Sequence, residues 1–283
     1  MIMFPGSQRE KAQRLLSLHT SGGILVLPNV WNPIGARVLE KIGYPAVATA
    51  SAAVSASLGY QDGEKIKRST LIDLIGRIAR SVQVPVTADI EAGYGDSLAE
   101  LEETAHQMIE SGIVGVNIED SLEEGSDLRP VGEQCKRIAR LRQVADRLGV
   151  PLVINARVDS FVSDAFPDRK KALQEAVTRA RAYAAAGADC IYPMGPNDEA
   201  TVRALRQQIE IPINILASPT AAPLPVLREI GVNRLSFGPF IFRSLMRKFL
   251  DIAETLQDSG DYACFSDMLS RAETGEYLLS GYE

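Results

Sequence analysis

Asp89 and Glu91 are the residues whose types and spacing most readily do chemistry. They close an apolar run, Val84-Pro85-Val86-Thr87-Ala88-Asp89-Ile90-Glu91, that breaks into the turn Ala92-Gly93-Tyr94-Gly95. On a strand, residues two apart project from one face. The pair therefore presents two hard oxygen ligands beside flexible backbone, which suits a divalent cation such as Mg2+. Taken by itself, a D-x-E reads more simply as a solvated acidic strand end. The elements around it have to decide.

The chain has 283 residues, 46% of them hydrophobic and 23% charged, with a net charge of -6. That is the composition of a soluble globular protein. The acidic balance and the lack of a basic patch argue against a nucleic-acid surface. No apolar run approaches the ~20 residues of a membrane span. Met1 to Arg14 lacks a signal pattern, so a cytoplasmic protein is expected. Cys135, Cys190 and Cys264 are scattered outside any zinc or redox spacing. With only His19 and His106 present, acid–base chemistry must lean on Asp, Glu, Tyr, Lys or Arg.

Short apolar runs bounded by turn signals predict eight strands. They are Ile24–Pro28, Ala46–Ser51, the opening run, Val114–Ile118, Leu152–Arg157, Cys190–Pro193, Ile213–Ala217 and Leu235–Gly238. Amphipathic helices alternate with them. Asn29 to Asn32 reads as a loop and Ala52 to Gly59 as a small-residue stretch. Gly43, Gly112, Gly187 and Gly231 each stand where a helix should stop just before a strand. A doubly wound sheet usually opens with G-x-G-x-x-G after its first strand, but here that place holds Pro28-Asn29-Val30-Trp31-Asn32. The pattern predicts a single (β/α)8 TIM-type barrel domain over 1–283, with 241–283 as a C-terminal helical extension.

Such barrels carry their active sites at the C-terminal ends of the strands. Strand two ends in Thr49-Ala50-Ser51-Ala52, strand three in Asp89 and Glu91, strand four in Glu119 and Asp120. Strand five ends in Asn155, Arg157 and Asp159, strand seven in Asn214, strand eight in Arg234, Ser236 and Gly238. Polar residues at one end of strand after strand favour a metal-assisted anion site. Tyr94 on the glycine turn is a candidate proton or hydrogen-bond donor, and Tyr60 and Tyr192 are weaker ones. Asp159 can orient Arg157. Arg234 and Ser236 suit either the barrel floor or a distal substrate carboxylate. Cys135 reads as structural, His106 as surface, and His19 as a helical residue of little consequence.

These residues together resemble the isocitrate lyase/phosphoenolpyruvate mutase superfamily. The marks are Ala50-Ser51-Ala52 with Leu58-Gly59 and Asp62, then Ala88 to Gly95, Asn117-Ile118-Glu119-Asp120, Asn155-Ala156-Arg157 and Arg234 to Pro239. The resemblance covers roughly Leu25 to Phe240. It implies Mg2+, or alternatively Mn2+, bound directly by Asp89 and largely through water by Asp62, Glu91 and Glu119. It implies a substrate cradle at Ala50, Ser51 and Ala52, joined by Asp89 and Asn214, and an arginine, Arg157, on the reacting oxyanion. The catalytic set is then Arg157, Glu119 and Tyr94.

Two departures stand out. The second metal-site carboxylate, often Asp in the family, is Glu91. The loop from Ser121 to Pro130 lacks the Lys-Lys/Arg-Cys-Gly-His lid motif of the lyases, and its only cation is Arg129. The reading that follows is a Mg2+-dependent lyase. It cleaves a C–C bond next to a carboxylate in a small 2-hydroxy or 2-oxo di- or tricarboxylic acid, through a metal-stabilised enolate, and releases a 2-oxo acid. The alternatives are a P–C bond enzyme of phosphonomutase or phosphonopyruvate hydrolase type, disfavoured by Glu123, Glu124 and Asp127, and a non-catalytic 2-oxo-acid-binding relative. The apolar face Ile241, Phe242, Leu245, Met246, Phe249 and Leu250 cannot stand alone in water. The resemblance implies that this helix is exchanged between subunits of a homotetramer, a dimer of dimers.

Overall fold

Helices and strands alternate along the chain because each strand is a short apolar run and each helix carries one apolar stripe. The structure, a computed structural model, describes residues 7–122 and 127–278. In order, the elements are α1 (Gln8–Thr20), β1 (Leu25–Leu27), β2 (Asn29–Val30), α2 (Pro33–Lys41), β3 (Val47–Thr49), α3 (Ser51–Ser57), α4 (Arg68–Ser81) and β4 (Val86–Asp89). They continue with α5 (Leu98–Glu110), β5 (Gly115–Ile118), α6 (Val131–Leu148), β6 (Val153–Val158), α7 (Arg169–Ala185), β7 (Cys190–Pro193) and α8 (Glu199–Arg206). The last are β8 (Asn214–Leu216), α9 (Leu224–Ile230), β9 (Arg234–Ser236), α10 (Phe240–Asp258) and α11 (Arg271–Gly275).

Every pairing between these strands is parallel. The ladder runs β2-β3-β4-β5-β6-β7 in one sheet and β1-β9-β8 in the other. Two joints close the ring: a parallel bridge between Ile191 and Ile213, and the covalent step from Leu27 through Pro28 to Asn29. Proline has no N–H to give to a ladder, so the first stave of the barrel is split there. The predicted loop at Asn29 is thus the continuation of that stave. The Asn29 side chain spans the split: its Nδ2 donates to Thr49 O (2.7 Å), and its Oδ1 accepts from Phe237 N (2.8 Å) and Gly238 N (2.9 Å).

Gly43, Gly112, Gly187 and Gly231 adopt φ of 96°, 101°, 108° and 88°, the left-handed conformation that lets a helix stop and turn into the next strand. The stretch read as merely small-residued is α3, whose first residue follows β3 almost directly. At the other end of the barrel, α1 lies across the strand starts. Gln8 Nε2 donates to Ile109 O (2.6 Å) and Ile113 O (3.1 Å), and Asn233 Nδ2 to His19 O (3.1 Å).

His19 corrects the sequence reading. It is fully buried, with Nδ1 2.8 Å from Leu15 O and Nε2 without a partner among the described residues. Burial, and then the charge of Arg234, push its imidazole down to about 4, against about 6.5 in an unfolded chain. The neutral ring is the stable form in the fold, so the contribution is intact above pH 6.5. It is lost as the pH falls from 6.5 towards 4, where the unfolded chain takes up the proton and the native chain does not. The expected cost at the acid end is about 3 kcal/mol. Between pH 7 and 4 the unfolding free energy of a His19→Leu variant should gain on the parent by that amount. A pH-independent difference in denaturant titrations would refute the assignment.

Candidate active site

The acids predicted at the strand ends meet at the C-terminal mouth of the barrel. Asp89, the last residue of β4, accepts from Ser51 Oγ (3.1 Å) and Ser51 N (3.3 Å) on Oδ2, while its own N–H donates to Thr49 Oγ1 (3.0 Å). The Ala50-Ser51-Ala52 segment is thereby laid against Asp89, because α3 begins as soon as β3 ends.

Glu91 is buried in a knot of its own. Oε2 accepts from Gly63 N (2.7 Å) and Glu64 N (2.5 Å), and Oε1 accepts from the Tyr94 hydroxyl (2.9 Å). Tyr94 N in turn donates to Glu64 Oε1 (2.7 Å). Glu64, Glu91 and Tyr94 all sit in the left-handed region, at φ of 59°, 52° and 55°, at a cost of about 1 kcal/mol or more each. The hydrogen bonds hold them there, and they tie the Asp62 turn to the turn after β4. Tyr94, expected as a donor on the glycine turn, has its hydroxyl committed to Glu91.

Electrostatics joins the four acids into one site. Burial first, then Asp62 and Asp89, push the Glu91 carboxyl up to about 7. Burial also raises Glu119 well above the usual carboxylate range, with Asp159, Asp89 and Glu91 adding to it and Arg157 opposing. Carboxylates that disfavour one another's charge are the donor set a divalent cation fits, since the ion reverses the sign of every such interaction. Among the described residues no three His, Cys, Asp or Glu side chains form a ready-made cage. An ion here would draw part of its shell from water or ligand, as Mg2+ commonly does.

Arg157, near the end of β6, lies beside the acids. Nε and Nη2 donate to Asp159 Oδ1 (2.7 Å) and Oδ2 (2.9 Å), and Nη1 reaches Glu119 Oε2 at 2.8 Å. A guanidinium has five N–H bonds, so one on Nη1 and one on Nη2 remain for a ligand. Asp159 has the orienting position expected of it. Tyr192, the neighbour of Arg157 in the ladder, is buried and its phenol is pushed up to about 12 by burial.

Below the mouth is a layer of buried amides. Asn117 Oδ1 accepts from Asn155 Nδ2 (2.7 Å) and Arg234 Nη2 (3.1 Å), and Asn214 Nδ2 donates to Ser236 Oγ (3.1 Å). Arg234 and Asn214 are both 0% exposed, which puts Arg234 and Ser236 in the barrel floor rather than at a distal carboxylate.

Sequence reasoning missed Arg137. Its Nη2 donates to Ala92 O (2.5 Å) and Gly95 O (2.9 Å), and its Nη1 to Asp96 O (3.1 Å). It therefore holds the glycine turn from α6. The available signal was its place on the helix's buried stripe, among Gln134, Ile138 and Leu141, where a charged residue needs a reason. In the loop after β5, Ser121 bridges Leu128; Glu123 and Glu124 lie outside the described residues.

The family model described as phosphoenolpyruvate phosphomutase matches residues 15–257. The chain is 28% identical to a 2-methylisocitrate lyase of Halalkalibacterium halodurans, over 97% of this chain and 91% of that one. It is 26% identical to an oxaloacetate decarboxylase of Paraburkholderia xenovorans, over 78% and 72%. A crystal structure from Burkholderia cenocepacia J2315, provisionally assigned as a phosphonomutase, superposes with a TM-score of 0.81 at 36% identity, covering 88% of this chain and 99% of its own.

A Cβ on Gly93 (φ 111°) would stand 2.6 Å from Leu101 Cδ1 and 2.9 Å from Arg137 Nη2. Gly93→Ala should therefore cost about 3 kcal/mol in chemical denaturation, from overpacking and backbone strain together. A loss under 1 kcal/mol would mean that the turn is not clamped as described.

Proposed function

The chain belongs to the phosphoenolpyruvate phosphomutase family, within the isocitrate lyase/phosphoenolpyruvate mutase superfamily, and from this premise we propose that it is a divalent-metal-dependent lyase. In this reading it breaks a C–C bond next to a carboxylate in a small 2-hydroxy or 2-oxo di- or tricarboxylic acid. The observation that carries the reading is the meeting of Asp89, Glu91, Glu119 and Arg157 beside Ser51 at one barrel mouth.

Asp89 would hold Mg2+ or Mn2+ directly, with Asp62, Glu91 and Glu119 around it through water. The ion supplies Lewis-acid stabilisation of negative charge developing on the 2-oxo acid. Ala50, Ser51 and Ala52 border the 2-oxo carboxylate, with Ser51 also fixing the Asp89 carboxylate in place. Arg157 offers its two remaining N–H bonds to the oxyanion, pre-oriented by Asp159, so little reorganisation is needed as charge builds. Glu119 keeps one oxygen free of Arg157 and faces the same space. Tyr94 acts through Glu91, which it positions. Asn214, assigned to substrate from the sequence, lies in the layer beneath, fully buried and donating to Ser236.

A second reading, P–C bond chemistry, draws support from the 36% identity to the provisionally assigned phosphonomutase. One screen separates the two. The purified chain is offered 2-hydroxy di- and tricarboxylates, oxaloacetate and phosphonopyruvate, with and without Mg2+, and release of pyruvate, glyoxylate or phosphate is followed. Asp89→Ala is expected to lose metal-dependent turnover by at least about 1000-fold while melting like the parent. Full activity in that variant would remove the metal assignment. Turnover of phosphonopyruvate alone would favour the second reading.

The homotetramer with exchanged helices is also a proposal. No residue of α10 is buried within the chain, and Leu245, Met246, Phe249 and Leu250 are 40–63% exposed, a patch that favours a partner surface. Phe249→Glu with Leu245→Glu should reduce the mass found by light scattering to that of a smaller assembly. An unchanged mass would disconnect this face from assembly. Among the described residues no helix is long and apolar enough to cross a membrane.

A further inference from the structure

The orientation of Arg157 can be traced outward to a helix on the far side of the barrel wall. Asp159, which grips Arg157 at two points, is itself gripped. Ser121 Oγ donates to its Oδ2 (2.5 Å), and its N–H donates to Asp120 Oδ1 (3.0 Å). The other oxygen of Asp120 accepts from the Tyr183 hydroxyl (2.7 Å) and from Arg179 Nη1 (3.1 Å), both on α7. Arg179 is steadied by Glu175 through Nε (2.8 Å). The same Arg179 Nη1 donates to Arg129 O (2.8 Å), and Arg129 N donates to Asp120 O (2.7 Å). Asp120 and Tyr183 are 0% exposed, Asp159 1% and Arg179 5%.

This is a costly way to fill the space between a sheet and a helix. Two carboxylates, Asp120 and Asp159, are buried side by side, where apolar side chains of similar volume would commonly stabilise the fold as well or better. What ionic groups provide and apolar ones do not is direction. Asp120 fixes the backbone of Asp159, Ser121 fixes its carboxylate, and that carboxylate leaves the Arg157 fork one pose. We propose that Asp120, held by Tyr183 and Arg179, is a positioning group for Arg157, so that the anion-binding pose of the arginine is set from α7. The inference rests on the reading above in taking Arg157 as the residue that meets the substrate's anion.

Two measurements test it. Oxalate, a planar dianion with the shape of a 2-oxo acid's enolate, is titrated calorimetrically into the Mg2+-supplemented protein, far below the melting point of each variant. Crystal structures of the same variants report the Arg157 pose. Asp120→Asn is expected to weaken oxalate about 10- to 100-fold and Tyr183→Phe by a smaller factor, as the loss of such outer partners usually does. Arg157 should turn off Asp159 in the Asp120→Asn crystals. Wild-type oxalate affinity in both variants would overturn the inference, as would an Arg157 that keeps both bonds to Asp159. Should the parent itself fail to bind oxalate, the functional reading is what fails, and the crystal structures alone decide the positioning claim. If Asp120→Asn does not fold, Tyr183→Phe, which removes one hydroxyl, decides by the same two readouts.

Discussion

Gathering like charges is the constraint on which the rest of this structure depends. At an effective dielectric of ~20, two carboxylates ~6 Å apart repel by about 3 kcal/mol, and burial penalises each of them further. The chain brings Asp62, Asp89, Glu91 and Glu119 into one another's field. Much of its polar architecture answers that choice. Backbone N–H groups of Gly63 and Glu64 face Glu91, Ser51 faces Asp89, and Arg157 faces Glu119. Even the three strained backbones at Glu64, Glu91 and Tyr94 serve to aim donors at one carboxylate.

From below, the answer is a cation without a carboxylate in contact. Arg234 is fully buried, donates a hydrogen bond to Asn117, and has Nε and Nη1 without partners among the described residues. Asn155 Oδ1 and Asn214 Oδ1 are likewise unpartnered acceptors. The Arg234 guanidinium lies within the field of Cys190, Tyr192 and Asp89, so its charge partly offsets that of Asp89 above. On the other side the same charge adds to burial in holding the His19 imidazole below its usual range. One arginine thus stands between Asp89 and the buried His19 ring.

How much of this could be read in the sequence follows from the range of each signal. The alternation of apolar runs and stripes is local, and it placed every barrel strand to within a residue or two. The acids at the strand ends followed from the barrel rule once the order was known. The continuation of the first strand past Pro28 was hidden because proline ended the apolar run. α3 was hidden because Ser51-Ala52-Ala53-Val54-Ser55 carries too little apolar stripe to show a helical period. Arg137, Arg179, Tyr183 and His19 were hidden for a different reason. Each is a polar side chain on the buried face of a helix. Arg137, Arg179 and Tyr183 meet the residues that follow strand ends many positions away in sequence. His19 bonds back to Leu15 O in its own helix and is buried only because α1 lies across the barrel. Tyr94 was visible as a candidate, but nothing local in the sequence pointed to its bond with Glu91.

Asn29 bridges the split at Pro28 with one amide group. Its nitrogen holds the carbonyl of Thr49, one peptide before the Ala50-Ser51 cradle, and its oxygen holds the amides of Phe237 and Gly238, where the chain enters α10. The approach to the outer helix and the edge of the inner mouth are therefore spaced by the width of one planar amide, a group too stiff to bend.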